Sequence, residues 1–309
     1  MKSQVRVINV SHGDCLILNP DPDMCDRGNS CKYQGFDIFV DVGDGQVDVS
    51  VYHDTNNKLI LLLSHAHKDH IGGLSHFFAK SFYSKRINEL WLPFYYDEIV
   101  YITNKILSFK GISNVSYDHY AYLALKDVVA THSLLRHVSR ELGLTVRGLA
   151  ENFSLCSHIK IYNPPTNINK LLKIPQFNSE SEIDLFIENI RTRLRTWFED
   201  SDADELEKIF DYYARVQNNR ISHNLDSAYD EYMDHNVSYP MLIRNDDLDY
   251  SNNISFSRAQ FIVGVFHILR PYLDDFIREP NALRLKVIYN KLKSTSHNVS
   301  IVFQCQGRI

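Results

Sequence analysis

Leu59-Ile60-Leu61-Leu62-Leu63 runs without interruption into Ser64-His65-Ala66-His67-Lys68-Asp69-His70-Ile71-Gly72-Gly73-Leu74. A short unbroken apolar run is the pattern of a strand buried on both faces. The loop after such a strand lies at the sheet edge, where side chains can converge on a cavity. Three histidines within six residues, in a chain holding 14 His among 309, are far denser than chance would place them. Imidazole nitrogens and a carboxylate, with no thiolate among them, suit a catalytic zinc, manganese or iron ion. Gly72 and Gly73 allow a close backbone approach before the next helix.

Outward from this stretch, the first third is strand-rich. Val5–Val10 alternates as a strand, Cys15–Leu18 follows the turn Ser11-His12-Gly13-Asp14, and Phe36–Val40 ends in Asp41-Val42-Gly43-Asp44-Gly45. A helix over 75–83 and a strand over 89–92 come next. Helical spacing then holds from Asp97 to Leu142, and Thr145–Leu149 and His158–Tyr162 read as strands. Residues 180–219 and 257–293 read as long amphipathic helices. The polar stretch 220–255 between them reads as irregular, and Val299–Phe303 as a last strand.

A hydrophobic fraction of 44% with 23% charged residues is globular composition, and a net charge of −5 excludes binding to nucleic acid or anionic membrane by bulk charge. No apolar run is long enough to span a bilayer, so no membrane association is expected. The N-terminus shows no signal-peptide core, and the five cysteines are scattered without a CxxC pair. These features point to reduced thiols and the cytoplasm. Cys25 and Cys31, beside Asp21, Asp23 and Asp26, read as a hairpin loop, with a small metal knot as the alternative.

His65, His67, Asp69 and His70 complete the His-x-His-x-Asp-His signature, and the chain here resembles the metallo-β-lactamase superfamily. Val10 to Leu18, Phe36 to Gly43, His158 to Pro165 and His297 to Phe303 are similar to the corresponding segments of its ComEC-like branch, which contains the hydrolase domain of a DNA-uptake channel and soluble relatives. The resemblance covers about residues 1–165 and 296–304. It implies an α/β fold, the metallo-β-lactamase αββα sandwich, with 1–165 as its N-terminal half, 166–295 as a mainly helical insertion, and 296–309 as the strand beginning the second half. It also implies two divalent metal ions, zinc or manganese. His65 and His67 would ligate the first, with His297 as third ligand. Asp69 and His70 would hold the second, and Asp69 would act catalytically by orienting a metal-bridged hydroxide. Asp14 and Asp41 would orient ligands through hydrogen bonds, or serve only the turns in which they sit. His297 has the parallel alternative of an exposed side chain before a strand.

The implied activity is metal-dependent phosphodiester hydrolysis, with DNA or RNA as substrate. Some soluble relatives resemble anti-phage effector nucleases coupled to proteases. The family pattern continues beyond the last strand with further ligands, so the expectation is one or no tightly bound metal in this chain alone. A complementary C-terminal segment or second chain, and an activating protease, are the expected partners. Hydrolysis of a small ester, thioester or lactam, or a catalytically incomplete regulatory fragment, are the competing readings. In the insertion, Arg191, Arg193 and Arg195 spread around a helix and read as a solvated face balanced by Glu180, Glu182, Asp184 and Glu188, with phosphate contact as the alternative. Trp197, Phe198, Phe210, Tyr212 and Tyr213 read as helix-packing core.

Overall fold

The computed structural model describes residues 4–10, 12–19, 35–45, 57–65, 67–79, 86–115, 117, 119–151, 154–156, 159–165, 167–172, 174, 177–222, 256–295 and 300–303. The Cys25–Cys31 loop, the stretch 223–255 and His297 lie outside them. The fold is α/β. Six strands, β1 (Gln4–Val7), β2 (Leu16–Asn19), β3 (Phe36–Val40), β4 (Lys58–Leu62), β5 (Ile87–Pro93) and β6 (Thr145–Leu149), form a mixed sheet in sequence order. The β1–β2 and β2–β3 pairings are antiparallel, and the remaining three are parallel. β7 (Ser154–Cys156), β8 (Ile159–Asn163) and β9 (Ser300–Phe303) make a second, antiparallel sheet.

Strand alternation explains why the run at 59–63 is apolar throughout. Successive side chains point to opposite faces, so Leu59, Leu61 and Leu63 join one core while Ile60 and Leu62 join another. The first face packs on α1 (Lys68–Ile71), α2 (Leu74–Ala79), α3 (Tyr96–Leu107) and α4 (Tyr120–Leu142). The opposite face, through Leu18, Ile38, Val40, Ile60, Leu62 and Trp91, packs on Ile159 and Ile161 of β8. Helices, first sheet and second sheet are therefore successive layers, and β4 lies in the middle of the stack.

The third core is helical. α5 (Ile168–Leu172), α6 (Glu180–Trp197), α7 (Asp200–Ser222), α8 (Phe256–Arg278) and α9 (Ala282–Thr295) bury their apolar faces together with α3 and α4. Each of the two long helices expected from the sequence is a pair. Phe198 leaves helical geometry (φ −121°, ψ 161°) and buries its ring edge-on to Phe109 and Phe266. Pro280 disfavours helical backbone at Glu279, and the Asn281 side chain caps the next helix by accepting from the Arg284 amide at 3.0 Å. Lys105, buried on α3, is held by Asp202 and Glu205 of α7.

The insertion arginines face neighbouring helices. Arg191 pairs with Glu207 and Asp211, Arg193 with Asp274 at 3.1 Å, and Arg195 with Asp204 and Glu207 at 3.0 Å. Their partners thus come from α7 and α8, in place of the same-helix carboxylates expected, because the bundle brings those acids closer than a helix face can. Trp197, Phe198, Phe210 and Tyr213 are wholly buried, and Tyr212 packs against the same cluster. No helix among the described residues is long and apolar enough to cross a membrane.

Because Leu61 is fully enclosed between sheet and helices, Leu61→Ala should destabilise the protein by about 2–5 kcal/mol, the range for a buried leucine whose cavity only partly collapses. Chemical denaturation read by circular dichroism checks this.

Candidate metal centre

The candidate ligands are brought together by a change of backbone geometry at the end of β4. His65 follows β4 and His67 precedes α1, and their rings are in contact. His67 is the last extended residue (φ −99°, ψ 148°), and its carbonyl accepts from the His70 and Ile71 amides at 2.9 and 3.0 Å. The single turn of α1 then returns His70 to the side already holding the other two. The His65 ring centroid lies 4.3 Å from that of His67 and 3.9 Å from that of His70. Asp69 Oδ2 stands 3.5 Å from His70 Nε2.

Asp41 anchors the cluster from below. It follows β3, is buried, and adopts a left-handed conformation (φ 59°) that is uncommon for a residue with a side chain. Its carboxylate accepts from the Ser64 amide at 2.8 Å, the Ser64 hydroxyl at 2.6 Å and His70 Nδ1 at 2.8 Å. Ser64 spends its only proton on Asp41, so its oxygen accepts from His65 Nδ1 at 2.9 Å. Both His65 and His70 are thereby held through Nδ1, leaving each Nε2 to face the cluster.

Asp14 makes its close contact through the backbone. Its carboxylate is 72% exposed and stays 3.9 Å from His70, beyond hydrogen-bond range, while its amide donates to the Asp69 carbonyl at 3.3 Å. The neighbouring Gly13 is required by this approach. It has φ 92°, and a Cβ there would sit 1.5 Å from the Asp69 carbonyl oxygen. Gly73 also passes Val42 closely, where a Cβ would meet the Val42 oxygen at 2.6 Å.

Burial, with the neighbouring His70 and His67, lowers the pKa of His65 to about 4. Burial and the nearby Lys293 lower that of His67 to about 4. Both rings are therefore neutral at physiological pH, the form in which imidazole binds metal. Burial alone would lower His70 too, but the hydrogen bond and charge of Asp41, with Asp69 and Asp14, raise it. Carboxylates that favour a proton on His70 favour a cation there for the same electrostatic reason. Burial, assisted by Asp41, raises the Cys15 thiol to about 12, which leaves it outside the donor set.

The donor chemistry fits a divalent ion. As they stand, no group of three or more His, Cys, Asp or Glu side chains among the described residues closes on a single ion position. The expected third ligand, His297, lies outside the described residues.

Two further residues reach the cluster from α9, unmarked by the sequence reading. Tyr289 lies 6.5 Å from the His67 ring. Lys293, one turn on, acts electrostatically on His67. Both line a cavity of about 50 Å³ shared with His65, His67, Tyr96 and Thr295 and floored by apolar residues such as Leu125 and Phe261. Their only sequence signal is an i, i+4 spacing within an amphipathic helix.

The lowered pKa values fix a sign for pH dependence. Between about pH 6.5 and 4 the unfolded chain takes up protons at His65 and His67 that the folded chain refuses, so their contribution to stability falls as pH drops through that window. His67→Ala should therefore lose less stability than wild type between pH 7 and 4, measured by thermal melting. Histidine ring resonances titrated by NMR should place His65 and His67 near 4, and a midpoint near 6.5 for either would show an open, hydrated ring.

No protein-family model, no curated protein and no solved structure matches this chain.

Proposed function

We propose that this chain is a metal-dependent phosphodiesterase acting on nucleic acid, built on a metallo-β-lactamase-type αββα arrangement. The single observation carrying the proposal is the convergence of His65, His67, Asp69 and His70 at the end of β4, with the rings oriented through Ser64 and Asp41. Helices on one face of a mixed sheet and a second sheet on the other support the architecture. His65 and His67 would hold one divalent ion, zinc or manganese, and Asp69 and His70 a second. When bound, such ions generate a nucleophile from water near neutral pH and offset charge developing on phosphate. The chain's own part is to keep the His65 and His67 rings neutral, to fix the orientation of His65 and His70 through Ser64 and Asp41, and to bring the Asp69 carboxylate beside His70.

Size favours a polymer over a small molecule. Small-ligand sites typically enclose about 300–1,000 Å³, whereas the cavity beside His65 and His67 measures about 50 Å³. A phosphodiester backbone lying across the cluster needs no enclosing pocket. The apolar floor of that cavity is the feature that favours the second reading, hydrolysis of a small ester, thioester or lactam.

In excess manganese or zinc, protein supplied with the complementary segment or second chain should cleave DNA or RNA and leave a chromogenic lactam intact, whereas residues 1–309 alone should show no appreciable cleavage. His67→Ala and Asp69→Asn should each lower the cleavage rate by orders of magnitude while the helical circular dichroism is unchanged. DNA and RNA left whole under these conditions, with the lactam turned over, would transfer the assignment to the second reading. After dialysis, elemental analysis of residues 1–309 should find at most one equivalent of metal, and none in His67→Ala, because two side chains seldom hold a divalent ion tightly.

A further inference from the structure

The helices beyond the ligand loop contribute an aromatic and cationic lip to one side of the cluster. Tyr120, at the start of α4, is 55% exposed and stands edge-on to Tyr289 with ring centroids 5.6 Å apart. Tyr289 is buried, hydrogen-bonded to Tyr120, and 6.5 Å from His67. Lys293 lies one helical turn from Tyr289 and faces the same histidine. Leu123, three residues after Tyr120, is also exposed and extends the apolar surface along α4. The order outward from the cluster is therefore His67, Tyr289, Tyr120, with an ammonium group beside the first two.

An aromatic ring more than half exposed, and joined to the candidate centre through Tyr289, can receive a flat apolar face. Lys293 adds a positive charge beside His67, while Asp69 and Asp127 act electrostatically on the neighbouring Tyr289. A nucleotide combines both features, its base stacking on an aromatic ring and its phosphate meeting a cation. The cavity of about 50 Å³ is too small to swallow a base, so the base must remain outside, against Tyr120. Bases in a duplex present only their edges, their faces being covered by neighbouring pairs. We propose that Tyr120 and Lys293 form a docking lip for unpaired nucleic acid, Tyr120 stacking a base next to the scissile phosphate and Lys293 holding a backbone phosphate. The proposal rests on the phosphodiesterase reading and specifies its substrate as a single strand.

Fluorescence anisotropy with the full 309-residue chain in EDTA tests this without any cleavage. The probes are a labelled 12-nucleotide single-stranded DNA, the same sequence as RNA, and the blunt DNA duplex. At least one single strand should bind about tenfold tighter than the duplex. Tyr120→Ala should weaken that binding by roughly fivefold to a hundredfold, the span for loss of one base-stacking ring. Tyr120→Phe, which keeps the ring, should stay within about twofold. Lys293→Gln should reduce the dependence of log affinity on log salt by about 0.7, the loss of one single-strand phosphate contact. Melting curves confirm that these exposed substitutions leave the fold intact. Duplex bound as tightly as single strand, Tyr120→Ala binding like wild type, or no binding to any probe would each overturn the proposal. Tyrosine-dependent binding without hydrolysis in metal, with the complementary segment supplied, would remove the enzyme reading and leave the lip. Hydrolysis with Tyr120→Ala at wild-type affinity would do the reverse.

Discussion

The carboxylate of Asp41 is the constraint on which the centre depends. It is buried among the strands, and it accepts from the Ser64 amide, the Ser64 hydroxyl and His70. A buried anion with fewer donors would be costly to keep ionised. Satisfied in this way, it becomes a fixed reference point for the exit of β4, one imidazole directly and a second through Ser64. The left-handed backbone at Asp41 fits this account. A strained residue persists where its surroundings over-determine it, and here three donors, with the hydrogen bond that the Asp41 amide donates to the Leu62 carbonyl, do so.

From that reference point the geometry spreads in two directions. Backward, Gly43 donates to the Asp14 carbonyl and Asp14 to that of Asp69, so the β1–β2 loop, the end of β3 and the ligand loop are bonded into one unit. Upward, the cluster meets α9, which belongs to a different core. The candidate ligands therefore sit at the end of β4 and on the single turn of α1 that follows it, whereas the groups flanking them, Tyr289 and Lys293, are carried by α9. Division of this kind lets the surroundings of a ligand set vary without disturbing the set itself.

Periodicity made the strands around the motif legible. Leu59–Leu63, Phe36–Val40 and Thr145–Leu149 carry patterns that burial imposes directly, and their positions in the sheet agree to within a residue. The His-Asp spacing was legible for the same reason, since an extended segment followed by one helical turn converts that spacing into proximity. Other features left no such trace. The break at Phe198 arises from ring packing against Phe109 and Phe266, which is a tertiary preference. β7 is three residues long, too short for alternation to register. Ser64 looks like any loop serine until Asp41, 23 positions earlier, is brought beneath it. Asp14 was legible as a position but not as a mechanism, because its backbone makes the contact with Asp69. Tyr289 and Lys293 lie more than two hundred residues from the motif, and only the packing of α9 on α4 reveals them.

α3 and α4 each take part in two cores. Tyr96 and Val100 of α3, with Val128 and Leu135 of α4, pack on the sheet, while Ile99, Ile102 and Ile106 of α3, with Ala121 and Leu125 of α4, pack among the later helices. A helix committed on two faces cannot release one without exposing the other to water. The helical body is thus no detachable accessory. Excising it would strip α3 and α4 of half their cover, and the sheet carrying the histidines would lose its own roof with them. Through α3 and α4 two of the three cores are joined, and the segment that looks most like an insertion covers the helices that roof the sheet.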